Sequence, residues 1–200
     1  MYDFLTDEKT MLIFRTYWPI IAILIGLLGY IIKRQQENTN LRTLLKLELT
    51  NNVSLVFLNI PKKSLLETSK KNPTELIDSA RTLSYASKHF SYNIYDKYLT
   101  SMLVLSKKEK KKVFLAYTNF KKLEIIGSDI SELLKIESRS DAQKKRLEMR
   151  LVSISRFADA SIDHFTEALK CFGFSQKSIK EIIEENRGLG TQIVVEMENT

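Results

Sequence analysis

Residues 16–32 read TYWPIIAILIGLLGYII, 17 positions without a charged side chain that stop abruptly at Lys33-Arg34. As a helix the run covers roughly 26 Å, close to the ~30 Å hydrocarbon core of a bilayer. Met11 to Phe14 extend it when Arg15 snorkels its guanidinium to the headgroups. Tyr17 and Trp18 at one end and Tyr30 at the other stand where amphipathic rings favour the membrane–water boundary. The stretch therefore predicts one transmembrane helix. A cleaved signal peptide would have a shorter apolar core, charges ahead of it and a small-x-small site behind it; here Ile31-Ile32-Lys33-Arg34 follows instead.

Basic flanks orient the span. Lys33, Arg34, Arg42 and Lys46 lie just downstream, against Lys9 and Arg15 among Asp3, Asp7 and Glu8 upstream, so the body of the protein is expected in the cytoplasm, anchored in the cytoplasmic membrane by a single pass. Within the span, Pro19, Ala22, Gly26 and Gly29 recur at intervals of three and four. Such a seam of small residues lets helix backbones approach closely, which drives association in lipid, although Gly and Ala are also common in spans without that role.

Beyond the anchor, taken as residues 1–33, the 200-residue chain has enough length for one domain with a real core. Its net charge of +7 suits work beside anionic lipid and would equally suit RNA. The lone Cys171 excludes an internal disulfide and, beside Phe172 on an apolar helix, reads as a core thiol. With only His89 and His164, no metal-ligand cluster has recognisable spacing. Phosphate loops, nucleophile elbows and EF-hand loops are missing as well, so neither a cofactor nor a small-molecule substrate is expected.

The rest of the chain alternates at helical period. A stalk, residues 34–61, carries Leu41, Leu44/Leu45, Leu49, Val53, Val56 and Ile60 on one face with no Gly or Pro separating it from the span, and Pro61 stops it. Residues 62–200 are expected to form a cytoplasmic helical bundle. PKKSLLETSKKNP begins it as a connector, and Asn72-Pro73-Thr74-Glu75 caps a helix bearing Leu76, Ala80, Leu83, Phe90 and Ile94, with a bend near Ser91-Tyr92-Asn93 before it continues to about Leu105. KKEKKK, residues 107–112, reads foremost as a solvated helix start or loop, with lipid headgroups or nucleic-acid phosphate as the functional alternatives. Of the nearby Tyr92, Tyr95, Tyr98, Phe114 and Tyr117, core packing explains the spacing better than base stacking.

Val113 to Ile136 is a further helix, with Phe114, Tyr117, Phe120, Ile130, Leu133 and Leu134 apolar and Gly127 as a kink. A capping box at Ser140 to Gln143 opens the longest soluble helix, along Leu147, Leu151, Ile154, Ala158, Ile162, Phe165, Leu169 and Phe172, closed by Gly173 with Phe174 folding back. Gln176 to Arg187 presents Ile179, Ile182 and Ile183, and Ile193 to Val195 form a brief extended arm. The fold class is all-α.

Both histidines occur in one frame, Arg81-x7-His89-Phe90 and Arg156-x7-His164-Phe165. Eight helical steps set each Arg and His about 80° apart, away from the apolar stripe. Exposed Arg and His are ordinary on amphipathic helices, and Arg156 has Asp159 and Asp163 within pairing distance in sequence. An all-α domain with an Arg and a His on one helix also resembles the HEPN superfamily, whose ribonuclease members use an R-x4-6-H motif assembled from two domains. With a single N-terminal span, the layout is similar to the membrane-anchored HEPN-like accessory proteins of type VI CRISPR systems, which act as oligomeric pores assisting phage defence. The interval here is seven, and Phe157 follows the arginine where active members carry a polar residue; the resemblance thus implies a bundle used for assembly.

Three functions follow as expectations. The first is a self-assembling, non-enzymatic membrane protein whose spans line or perturb the bilayer, with Arg15, Lys33 and Arg34 at the pore mouths or against lipid headgroups. The second is a membrane-tethered ribonuclease using Arg156 and His164, joined by Arg81 and His89. The third is a tether for a cytoplasmic partner. The resemblance adds a CRISPR effector protein or RNA to the partners, beside the bilayer and further copies of the chain.

Overall fold

The computed structural model describes residues 8–61, 73–98 and 105–187. Every regular element among them is an α-helix: α1 (Glu8–Asn59), α2 (Pro73–Ser87), α3 (Asn93–Tyr98), α4 (Lys107–Leu134), α5 (Asp141–Lys170) and α6 (Gln176–Asn186). The all-α expectation holds. The connector before Pro73 with its Asn72 cap, the continuation from residue 99 to 104 and the extended arm at Ile193–Val195 lie outside the described residues.

The chain divides into two compact units, residues 1–43 and 44–200. In the first, residues 16–37 of α1 are all exposed, including Trp18 and the aliphatic run from Ile20 to Ile32. This helix is long and apolar enough to cross a membrane, and none of its apolar window is buried. A core helix of a soluble protein would bury that window against its own chain.

In the second unit α2, α4 and α5 pack on one another, joined by α6 and by the last four turns of α1. In this unit's core the last turns of α1 bury Leu45, Leu49, Val53, Val56, Phe57 and Ile60 before Pro61 ends the helix. The bundle begins at Leu44, inside the segment expected as a stalk. Leu44 itself is exposed and Leu45 takes the core position.

Local chemistry sets the helix ends. Ser106 and Ser140 each accept from the backbone N–H three residues on, and Glu109 and Gln143 reach back to the cap amides, completing two capping boxes. Only the second was expected; the first makes KKEKKK the first turns of α4. Arg139 donates to the carbonyls of Leu133 and Leu134, both at 2.6 Å, closing the other end of α4. Gly173, at φ 90°, turns the chain after α5 in a conformation that a side chain would strain.

Four expectations about faces are corrected. Helix α2 ends at Ser87 rather than bending at residues 91–93, because Asn52 and Glu48 of α1 take up the backbone there. Phe114 is exposed although it follows the stripe, since α4 turns its Tyr117, Phe120 and Leu123 side to the core. Ile182 is exposed while Ile179 and Ile183 are buried, one turn being all that α6 needs to anchor. Gly127 marks no break in α4; it is the point where α2 comes closest. A Cβ there would lie 2.2 Å from Ser87 Oγ and 3.1 Å from the Ser84 carbonyl, and Ser84 Oγ donates to the Gly127 carbonyl at 2.8 Å.

Gly127→Ala should accordingly lower stability by about 1–3 kcal/mol, and adding Ser87→Ala should restore part of it by removing the nearest atom. Thermal melts of the detergent-solubilised chain measure both. An unchanged melting temperature for Gly127→Ala refutes the close approach.

Candidate functional site

The buried face of α1 carries three polar residues: Asn59 in its last turn, whose amide donates to the Leu55 carbonyl, and, one helical turn apart, Glu48 and Asn52. Glu48 Oε2 accepts from Ser91 Oγ at 3.1 Å and from the Ile94 amide at 2.8 Å, while Oε1 accepts from the Tyr95 amide at 3.0 Å and from Tyr117 Oη at 2.8 Å. Asn52 pairs both ways with Ser91, donating to its carbonyl at 2.7 Å and accepting from its amide at 2.9 Å. The carboxylate thus caps the N-terminus of α3 from another part of the chain and ties α4 to the same point. Burial, and after it the Glu48 charge, hold the Tyr117 hydroxyl far above its ordinary pKa, so it stays a donor.

Around this point the aromatics expected in the core assemble a column. Tyr95 stacks on Tyr117 with centroids 3.9 Å apart, Tyr117 meets Phe120 edge-on, and Phe120 stacks on Phe165 at 4.6 Å. Burial, then the neighbouring Asp96, push the Tyr95 hydroxyl up to about 12. This Glu48–Asn52 cluster was missed in the sequence; its one local signal is a Glu and an Asn at i and i+4 inside an otherwise apolar stripe.

The Arg/His frames are not brought together. Arg81, His89, Arg156 and His164 are all exposed, and no hydrogen bond or ion pair among the described residues joins an arginine to a histidine in either frame. On α5 Arg156 and His164 are eight residues apart, about 12 Å along the axis. Asn119 of α4 lies 2.8 Å from His164 Nδ1; with the amide donating, the ring proton sits on Nε2. His164 thereby serves the α4–α5 contact. His89 lies past the end of α2, so the helical phase expected for it does not apply; its ring leans on Tyr85 with centroids 4.9 Å apart. Arg81 pairs with Asp78 at 3.7 Å. The Asp159 expected beside Arg156 instead bonds the buried Arg187, which also donates to the Pro61 carbonyl at 3.2 Å.

Other charged groups are structural pairs. Asp129 receives Arg146 and Arg150, each at 2.6 Å, and Glu167 receives Lys112 and Lys170, each at 2.5 Å. The bonds from Lys112 and Lys170 bring the Glu167 carboxyl down to about 2. No group of His, Cys, Asp and Glu among the described residues could hold a metal ion. Cys171 is half-buried, its thiol against the Glu167 carbonyl at 3.4 Å.

In the apolar part of α1, Pro19, Ala22, Gly26 and Gly29 are exposed, and a Cβ built on either glycine meets nothing among the described residues within 4 Å. Lys33 and Arg34 are exposed on the same helix, which also includes Arg15. Comparison with protein-family models, curated proteins and solved structures returns no match.

Two variants weigh the buried cluster. Tyr117→Phe removes one donor to a carboxylate and should cost about 1.5–3 kcal/mol, whereas Glu48→Gln sets an amide NH2 against groups that donate and should cost more. Urea unfolding ranks them; equal or negligible losses refute the central place of Glu48. A third test uses pH. The Glu167 carboxyl titrates lower in the folded chain than its ordinary value of 4.5, so its contribution is present above that value and is lost as pH falls toward about 2. Glu167→Gln should flatten the stability profile across that window, and an unchanged acid limb refutes the bridge.

Proposed function

We propose that the chain is a single-pass membrane protein whose spans associate through the small-residue seam, with the bundle on the cytoplasmic side, and that several copies together open or perturb the bilayer. One observation carries this reading. Glycine costs about 1 kcal/mol in a helix interior relative to alanine, yet among the described residues nothing comes near Gly26 or Gly29 to require it. A partner helix whose backbone approaches Ala22, Gly26 and Gly29 supplies the requirement, and a second copy brings an identical surface. A single helix encloses no lumen, so any aqueous path needs several copies.

The resemblance to HEPN-like accessory proteins of CRISPR systems favours antiphage defence as the setting, with an effector protein or RNA as the trigger. Ribonuclease chemistry is disfavoured by the separation of Arg156 from His164 and by the bond that engages His164 with Asn119. A pore with Arg15, Lys33 and Arg34 repeated around its mouths would concentrate anions and favour their passage.

Light scattering on the detergent-solubilised chain should show an oligomer that Gly26→Leu reduces toward monomer. A monomeric wild type overturns the seam. Dye release from liposomes and bilayer recordings in asymmetric chloride then divide the outcomes: anion-selective leakage supports the pore, and an assembled protein that neither leaks nor conducts leaves a membrane tether.

A further inference from the structure

Lys107, Lys108, Lys110 and Lys111 open α4, and among the described residues none of them has a carboxylate within ion-pair distance; Lys112 alone is paired, with Glu167. This is the wrong end of a helix for cations. The helix dipole is positive there, and the only acid in the first turn, Glu109, is already committed to the capping box. The chain thus holds surplus positive charge where its own structure gains nothing from it. One turn on, Phe114 is 51% exposed, and on 100° steps Lys107, Lys110, Lys111 and Phe114 fall within about 100° of arc, the same face that carries Ile125, 69% exposed. Cations around an uncovered aromatic ring make a face suited to a lipid headgroup layer, with phosphate for the ammonium groups and the acyl boundary for the ring.

The bundle's topology selects the same end. Lys112 meets Glu167 near the C-terminus of α5, and Lys46 of α1 lies over the Phe174 ring just beyond it, 5.0 Å from the centroid. The lysine-rich start of α4 and the point where α1 enters the bundle are therefore at one end, whereas the bonds of Asp129 to Arg146 and Arg150 lie at the other. Ile32, the last residue of the apolar run, precedes Leu44, the first residue of the second unit, by twelve positions.

We infer that this face, Lys107, Lys110 and Lys111 with Phe114, flanked by Lys108, docks on the anionic headgroups of the bilayer that the span crosses. The inference rests on the membrane reading above. Docking would fix the bundle against the surface and make assembly depend on the lipid beneath it.

The test uses the full chain in vesicles of phosphatidylcholine, with or without phosphatidylglycerol, carrying lipids brominated near the headgroup. Trp18, the single tryptophan, reports the span in the wild type; Phe114→Trp in a Trp18→Phe background reports the docking face. The expected result is strong quenching of the second reporter in anionic vesicles, weakened by salt and absent in neutral ones. Reversing the four unpaired lysines to glutamate should abolish it, each lysine being worth roughly fivefold in surface affinity. That variant should melt no lower than wild type, because glutamates suit the start of a helix. Quenching that is equal in the two lipids, or unmoved by charge reversal, overturns the docking. So does single-stranded RNA retained through those same lysines with no difference between lipids, which would assign them to nucleic acid. Quenching of Trp18 without the second reporter refutes only the docking face, and the reverse pattern refutes only the span.

Discussion

The bundle depends on one carboxylate out of reach of water. Glu48 is 7% exposed, and a charge so placed is tolerated only when its lone pairs are taken up by donors. Here two backbone amides at the start of α3, a serine hydroxyl and a tyrosine hydroxyl do so. The constraint runs both ways. The six-residue α3 is too short to persist alone, and it exists because Glu48 satisfies the N–H groups that its own chain leaves open. In turn the ending of α2, the stacking of Tyr95 on Tyr117 and the seating of α4 follow from where that carboxylate sits.

Much of this architecture was legible because it is written in local pattern. The long apolar helix is a run of composition, Pro61 and Gly173 are backbone restrictions, and the Ser140–Gln143 box is a four-residue motif; each is local. The Ser106–Glu109 box is as local and was passed over inside a lysine run. Most else that escaped the sequence acts across it. The partners of Glu48 lie 43 to 69 residues away, so beyond the Asn four residues on, nothing near position 48 distinguishes it from a surface glutamate on the stripe's edge. Gly127 reads as a kink when only its own helix is in view, and its meaning appears once Ser84 and Ser87 are set against it. Leu44, Phe114 and Ile182 lie at the borders of their stripes, where a 100° step cannot say which neighbour turns inward.

The candidate site was less legible than the fold for a related reason. The repeated Arg-x7-His frame is a pattern of identity without shared geometry: one histidine lies beyond its helix and the other braces an asparagine on the next. Charge, by contrast, sorted itself by whether a partner exists. Asp129 and Glu167 each gather two cations and are accounted for within the bundle, and this leaves the first turns of α4 as a surplus that packing does not explain. The proposal of a membrane protein thus draws on two unlike surfaces, an apolar helix and a cationic one, neither of which is covered among the described residues.

Arg187 joins the end of α6 to the carbonyl of Pro61, 126 residues earlier. During synthesis this bond is among the last that the bundle can make. At ~5–20 residues per second, on the order of ten seconds separate the emergence of Pro61 from that of Arg187. Until α2, α4 and α5 have followed in turn, the apolar side of α1 from Leu45 to Ile60 lacks the helices that cover it in the bundle. A nascent chain in that state exposes an apolar helical face, and the glutamate and asparagine set into it, Glu48 and Asn52, make that face less apolar. The residues that later organise the bundle would thus first interrupt the greasy surface that α1 shows before its partner helices arrive.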